Sequence, residues 1–565
     1  MRIAAGFLAL GILATAEPPQ PTYLDTLEVR ITNLDIMVAD RNGAPVRGLT
    51  RESFEVRENG VVQPVTNFAE YASSSGAAQA NAPTATSSVE PQPARTEAPL
   101  RKLLFFIDDM ALHPNTRTSL LKDSLAFVDK TMRDGDEAMV VTAATANKLT
   151  LSFTPDRKAI HAQVATLINK STWGPNTPYD SEKRYYESTV LPSMDKWERK
   201  EAKRVYSMRV VHRVNGTLRT LLGLVGSMAD IPGKKVIIVV SASITAEPGH
   251  EAWSLEDDLE SGANASEYDT SARSIFGVTA GSNQGWKDLT PMIREIAGTA
   301  AANGITIYSL QPDMGVHVTP PGGMSDTHRG TRAIGTMALS AYQREITEGT
   351  AKTLGTLADL TGGKYFKGGS QVDNAFRQLT NDVSSYYSLA YRAPPGTNDD
   401  FRQVDVTVKG RPDLVVRTRR ELLRLSPAHE MDELVASTLY VPRDVNELAI
   451  TASAQKPQRE LDHYKVNIDV KIPLERLTFI PVENNMYRAT FSLHYAAADG
   501  YDYATGATRQ QSVQATAAEV DAVRKKTYTY TTTLVISPGT ARIAVGVLDE
   551  LSRLSSLQRM NVEAR

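Results

Sequence analysis

Apolar and polar positions along the chain fall into stretches with two different periods. Over residues 27–71 the period is two: "LEVRITNLDIMVAD" and "SFEVRENGVVQPVTNF" alternate, with Asn42-Gly43 and Asn59-Gly60 at the breaks. Asn-Gly beside alternating strands is a strong hairpin signal, because both residues accept the positive φ the turn needs. Residues 72–99 lose this period and are almost wholly Ala, Ser, Thr, Gln, Pro and Glu. Such a composition buries too little apolar surface to offset the entropy of ordering, so a flexible linker is expected.

From Leu100 short apolar runs alternate with helical patterns. The runs 103–107, 138–142, 236–240 and 305–310 predict strands of a parallel sheet covered on both faces. Leu121, Leu125, Val128 and Met132 share a helical face after Pro114-Asn115, and Ile160, Val164 and Leu167 share another after Thr154-Pro155. Ile293, Ile296 and Ala300 mark a third helix, and Leu354, Leu357 and Leu360 lead one that stops at Gly362-Gly363. The alternation predicts an α/β doubly wound sheet over residues 100–382, a Rossmann-like architecture whose ligands bind at the carboxyl ends of the strands.

The period returns to two in "SYYSLAYR" and "FRQVDVTVKGRPDLVVRTRRELL", over residues 383–423. Residues 436–565 add "YKVNIDVKIP", "YRATFSLHYAA" and "YTYTTTLVISPGTARIAVGVLDE", which predict a separate C-terminal all-β sandwich. Segments 27–71 and 383–423 each hold too few strands to be stable alone. Together they complete one sandwich into which the α/β domain is inserted.

Composition narrows the function. A chain of 565 residues exceeds one hydrophobic core and suits about three or four domains. Its 62 basic and 65 acidic residues leave a net charge of −3 without a long run of either sign, which argues against a phosphate-tracking surface and a nucleic-acid partner. The opening "MRIAAGFLALGILATAEPPQP" has one arginine, a short apolar run and Ala14-Thr15-Ala16. It predicts a signal peptide over residues 1–16 and an exported protein, periplasmic or extracellular, with no integral membrane segment after cleavage. The absence of cysteine excludes a disulfide scaffold, a thiolate metal site and a thiol enzyme.

Candidate chemistry gathers at "KLLFFIDDMALHPNTRTSL", where Asp108 and Asp109 end the first α/β strand and His113 follows. Enzyme motifs are weak. "TGGKYF" lacks the first Gly and the last Ser or Thr of a phosphate loop, and neither His-Glu-x-x-His nor Gly-x-Ser-x-Gly occurs.

The order "VRITNLDIMVADRNGAPVRGLTRESFEVRENGVVQPVTNF", "KLLFFIDDM", "GKKVIIVVS", "ANGITIYSLQPDMG", "LADLTGGKYF" and "DVSSYYSLAYR" resembles the von Willebrand factor A-related proteins abundant in Acidobacteria. The likeness runs from residue 27 to about 423, and the inserted arrangement resembles that of integrin β-subunits. It implies that residues 100–382 form a von Willebrand factor A-type domain, a module used mainly for protein binding.

The resemblance also implies a metal-ion-dependent adhesion site, with Asp-x-Ser-x-Ser in one loop, a Thr in a second and an Asp in a third. A hard cation such as Mg²⁺ wants oxygen ligands and leaves one position for a partner's carboxylate. Asp108 matches the first Asp, but Met110 and Leu112 stand at the serine positions, and Ser241-Ala242-Ser243 stands where the third-loop Asp would be. Thr217 in "NGTLRT" is either the second-loop Thr or an ordinary helical residue. The expectation is a degenerate site that retains its shape without a metal, Asp108 being the clear remnant. Mg²⁺ or Ca²⁺ held by Asp108, Asp109 and His113 is the alternative.

Three long connections, 171–203, 246–289 and 313–350, carry the candidate partner surface. Large aromatic residues among charges suit protein contacts, which selects Trp173, Tyr185, Tyr186, Trp197 and Trp253, with Asp108, Asp109 and His113 beside them. The reading is a non-enzymatic, adhesion-type module with a protein partner. A structural subunit of an envelope or extracellular assembly, as an oligomer or hetero-complex, is the alternative, and a hydrolase with a non-standard site the distant one.

Overall fold

The computed structural model describes residues 31–72, 99–146, 152–169, 177–191, 195–229, 231–253, 286–312, 329–368, 372–394, 398–460, 463–499, 502–505 and 508–565. The expected signal peptide, nearly all of the expected linker, Trp173 and most of the connection 246–289 lie outside these residues.

The described residues begin with β1 (Ile31–Ala39), β2 (Phe54–Glu58), β3 (Val61–Gln63) and β4 (Val65–Ala72). Asn59 (φ 49°) and Gly60 (φ 80°) turn β2 into β3. The α/β segment follows as β5 (Arg101–Ile107), α1 (Pro114–Thr131), β6 (Glu137–Thr142), α2 (Ala143–Ala146) and α3 (Arg157–Asn169). After α4 (Pro178–Tyr185), a single π turn (Tyr186–Val190) and α5 (Lys196–Ser227) comes β7 (Lys234–Val240). The segment closes with α6 (Thr290–Ala302), β8 (Ile305–Gln311), α7 (Arg329–Leu360), β9 (Tyr365–Lys367) and α8 (Val372–Ser384).

The five α/β strands pair in parallel in the order β6-β5-β7-β8-β9. Chain direction across the sheet therefore reverses at β5. Apolar side chains of β5, β6, β7 and β8 are buried on both faces, Leu104, Phe106, Val239 and Ile307 towards one helix layer and Leu103, Phe105, Val240 and Leu310 towards the other. This explains their near-continuous apolar runs.

The described residues of the connection 171–203 are largely helical, which corrects the expectation of a long loop. Thr177 and Asp180 form a capping box at α4, and the Asp195 carboxylate accepts the Trp197 and Glu198 amides at the start of α5. Ala202, Tyr206, Val210, Val214, Leu218 and Leu221 make a buried stripe along α5 at helical spacing. Likewise, α7 occupies residues 329–350 of the third connection.

Next come β10 (Ser385–Arg392), β11 (Asp400–Val408), β12 (Val415–Arg417) and β13 (Glu421–Arg424). They interleave with the first four strands in two sheets of order β12-β1-β10-β4 and β13-β11-β2-β3. Leu34, Ile36, Phe54, Val56, Tyr387, Tyr391 and Val404 fill the space between. The Lys234 ammonium of β7 pairs with Asp35 of β1 at 2.5 Å and lies 4.4 Å over the Tyr386 ring, tying the parallel sheet to this sandwich.

The helix α9 (Pro427–Thr438) leads into the C-terminal region. Here β14 (Thr451–Ala454), β15 (Gln458–Glu460), β16 (His463–Pro473) and β21 (Thr527–Ile536) form one sheet. The other contains β17 (Ile480–Val482), β18 (Met486–Asp499), β19 (Asp502–Thr505), β20 (Arg509–Thr516), β22 (Gly539–Asp549) and β23 (Ser555–Ala564). This second region is not separate. Met431, Val435, Leu439 and Tyr440 lie in one continuous core with Leu218, Leu221 and Leu224 of α5 and Ala496, Ala544 and Leu548 of the sheet.

Candidate functional site

Where the chain direction reverses, the loops after β5 and β7 diverge from neighbouring strands, and this is where open α/β sheets bind ligands. Asp108 follows β5 and its amide donates to Val240 O of β7. Its carboxylate is fully buried, and Oδ2 accepts the Ser241 hydroxyl at 2.7 Å. The Ser241 hydroxyl in turn accepts the Ser243 and Ile244 amides, each at 3.2 Å, which fixes the turn after β7.

Asp109 turns the other way. Its Oδ1 accepts the Ala144 amide at 2.9 Å, holding the start of α2. Burial pushes the Asp109 carboxyl up to about 6. Burial also raises Asp108, with the Arg213 charge, the Ser241 hydroxyl and the Met110 amide opposing it. His113 is the N-cap of α1, its Nδ1 accepting the Asn115 amide at 3.3 Å.

The guanidinium of Arg213, from the middle of α5, reaches this point. Its Nη1 donates to the Ser243 hydroxyl at 2.7 Å, and its Nε lies 2.9 and 3.0 Å from the two Glu182 carboxylate oxygens. Both side chains are nearly enclosed, with 5 % exposure for Arg213 and 7 % for Glu182. Burial alone would disfavour the Arg213 charge, but the Glu182 carboxylate more than offsets this and raises its pKa. Thr217, one turn further along α5, places its hydroxyl 3.9 Å from Met110 Sδ while donating to Arg213 O at 3.1 Å. Thr217 is thus an ordinary helical residue and not a second-loop Thr; the first loop and the turn after β7 are what meet beside Arg213.

The residues at this point do not fit a divalent cation. Asp108 Oδ1 and Asp109 Oδ2 are buried oxygens without a hydrogen-bond partner, which on their own would suit one. Met110 and Leu112, however, fill the neighbouring positions with buried apolar side chains, and an added ion would face the Arg213 charge. Among the described residues no group of three or more His, Asp or Glu side chains is placed to hold a metal.

Above this point lies a groove of about 460 Å³ between α5 and the α4 side of the domain. Met110, Ala143, Pro178, Val205, Met208 and Gly216 line it together with Glu182 and Arg213. Met208, Arg209 and His212 are exposed along the rim. Beside it is a buried cluster that sequence reading missed. The Tyr206 hydroxyl lies 2.6 Å from Glu251 Oε1 and 3.0 Å from the Tyr342 hydroxyl, and Tyr186 stacks on Tyr342 with ring centroids 4.5 Å apart. Burial raises the Glu251 carboxyl to about 7.

The expected partner residues separate accordingly. Asp108, Asp109 and Tyr186 have 0, 1 and 1 % exposure, so a partner does not touch them directly, which corrects their place in a contact surface. Tyr185 is half-buried beneath the Arg209 guanidinium, 4.5 Å from its ring centroid. Trp253 is also half-buried; its Nε1 donates to the Ser207 hydroxyl at 2.9 Å, and the Lys203 ammonium lies over its ring. Both fasten α5 to its surroundings. Trp197 is 74 % exposed. It lies eleven residues before Met208, three turns along the same face of α5. Arg213, Glu182, Tyr206 and Glu251 went unread because they come from elements distant in sequence, with no local motif.

No family model matches the chain, and no curated protein matches it. Among solved structures, an aerotolerance-related membrane protein from Bacteroides fragilis aligns at 9 % identity and a TM-score of 0.23, covering 50 % of this chain and 98 % of that one. The PilB minor pilin from Streptococcus sanguinis aligns at 12 % identity and a TM-score of 0.22, covering 60 % and 88 %. A beta-glucuronidase from Bacteroides uniformis aligns at 13 % identity and a TM-score of 0.13, covering 32 % of this chain and 19 % of that one. Scores this low carry no inference about fold or function. Among the described residues no helix is long and apolar enough to cross a membrane.

Proposed function

We propose that the chain is an exported, non-enzymatic protein-binding module of the von Willebrand factor A type, which engages its partner without a metal ion. The observation that carries this is the groove lined by Met110, Ala143, Pro178, Val205 and Met208 at the carboxyl end of the parallel sheet. Apolar walls with a few convergent polar groups are the usual make-up of a binding site. Asp108 and Asp109 support binding over catalysis, because both are sealed from solvent and out of reach of a substrate.

The test is affinity purification of the mature protein from its native envelope fraction, with and without chelator, beside a Met208→Glu variant. A partner retained in chelator and lost from the variant supports the reading. A partner lost in chelator, or held equally by both proteins, refutes it.

The structural-subunit alternative rests on β3, an edge strand whose Val61 and Val62 are 64 and 53 % exposed. Bare apolar edges invite pairing with another chain. If that reading holds, Val62→Lys lowers the mass of the assembly measured by light scattering. An unchanged mass refutes it.

A further inference from the structure

We infer that Arg213 and Glu182 are a resident replacement for the metal ion and for the incoming carboxylate of a metal-ion-dependent adhesion site. The inference rests on the metal-free reading above and deepens it by naming the groups that made the ion dispensable. Three features support it.

The first is position. Asp108, Ser241 and Ser243 come from the two loops at the head of β5 and β7, and the Arg213 guanidinium is bonded to Ser243 beside them. Thr217, one turn away on the same helix, turns its hydroxyl to Arg213 O and Met110 Sδ instead. The guanidinium therefore lies at the convergence of the side chains that would otherwise surround an ion.

The second is charge. An Asp carboxylate sealed from water needs a nearby cation or several donors. Asp108 has the Ser241 hydroxyl on one oxygen, and the Arg213 guanidinium is bonded to Ser243, whose amide donates to that same Ser241 hydroxyl. A guanidinium is planar, always charged and weakly hydrated, so it tolerates such a place better than an ammonium.

The third is Glu182. In a metal site the open coordination position waits for a partner's acid. Here the carboxylate is supplied by α4 of the same chain, and its two oxygens take the Arg213 Nε at 2.9 and 3.0 Å. The α4 helix is itself pinned to the first loop through Tyr179 N, which donates to Met110 O at 3.2 Å. The position is thus filled internally, and recognition passes to the groove walls above it.

The test is thermal unfolding of the full mature protein, with partner absent, in Mg²⁺, Mn²⁺, Ca²⁺ or chelator. Wild-type Tm is expected to be the same in all four. Arg213→Gln removes the charge and leaves the Glu182 and Asp108 carboxylates and the Ser241 and Ser243 hydroxyls without a cation among them. This variant is expected to fall in Tm and then gain about 2 °C at a hundred-fold excess of Mn²⁺ over its dissociation constant. Asp108→Asn in the same background abolishes the gain. Arg213→Lys keeps the charge and stays insensitive to cations. It decides the matter if the Gln variant does not fold, since a Lys variant that gains stability from Mn²⁺ overturns the inference. A folded Gln variant unmoved by every cation overturns the role of Arg213 alone. A wild-type protein stabilised by a cation through Asp108 overturns both this inference and the metal-free reading.

Discussion

A Cβ added to Gly223 on α5 would lie 2.2 Å from the Tyr440 ring, which has 1 % exposure at the end of α9. The same helix presses its other side on β22, where a Cβ on Gly546 would meet Met431 Cε at 2.3 Å and Val435 Cγ2 at 2.4 Å. Glycine on both flanks lets α9 sit between the α/β domain and the C-terminal sheet.

Gly223→Ala should therefore destabilise the protein. Overpacking a closed core costs roughly 1–3 kcal/mol, against a gain of roughly 0.5–1 kcal/mol for removing a helical glycine. A lower Tm is expected, with earlier proteolytic release of the C-terminal region. An unchanged Tm would mean that the Tyr440 ring has room to move aside.

Stability should respond to pH through Glu251. An unfolded Glu titrates near 4.3, whereas burial holds the folded group at about 7. Between these values the folded state binds a proton that the unfolded state does not, so this contribution is complete below about pH 4 and is lost as pH rises through 7. Glu251→Gln retains a polar partner for Tyr206 and removes the loss. Relative to wild type, the variant should gain on the order of 2–3 kcal/mol between pH 5 and 8, measured by denaturant unfolding at each pH. Parallel profiles for the two proteins would remove Glu251 as the cause.

Asp136 acts in the opposite direction. Its carboxylate is buried with Arg101, accepting the Arg101 amide and Nε at 2.9 Å each. Burial would raise its pKa, but the Arg101 and Arg133 bonds outweigh burial and the net shift is downward. The stability it contributes is present above the unfolded Asp value of about 3.9 and fades as pH falls through the folded one. Asp136→Asn leaves a buried guanidinium without its counter-charge and should cost about 3–5 kcal/mol at neutral pH. The deficit should shrink in acid, as thermal unfolding at pH 3 and pH 7 would reveal.

Trp197 and Met208 separate binding from folding. Both side chains are exposed, at 74 and 47 %, so Trp197→Ala and Met208→Glu should change unfolding free energy by no more than about 0.5 kcal/mol. If the partner lies along this face of α5, both should weaken capture at least ten-fold, read by titration with the purified partner. Weak capture together with a lowered Tm would mean that the residues act through the fold instead.

Local patterns were readable where one element satisfied them alone. The apolar runs at 103–107, 138–142, 236–240 and 305–310 coincide with the cores of β5, β6, β7 and β8, because a strand buried on both faces needs apolar residues at nearly every position. The helix starting at Pro114 and the stop at Gly362, with its φ of 78°, were similarly explicit. The first half of α5 was missed because "KWERKEAKR" is dense in charge and its buried stripe starts only at Ala202. At the site, Asp108 was visible as a carboxylate ending an apolar strand. Arg213 and Glu182 were not, since an ion pair between positions 31 residues apart leaves no spacing to read.

Strand β10 begins at Ser385, directly after α8 ends at Ser384, and it is hydrogen-bonded along both sides, to β1 and to β4. No slack separates the α/β domain from the middle of that sheet. Any displacement of α8 is therefore passed to β1 and β4 through both of the ladders that β10 makes.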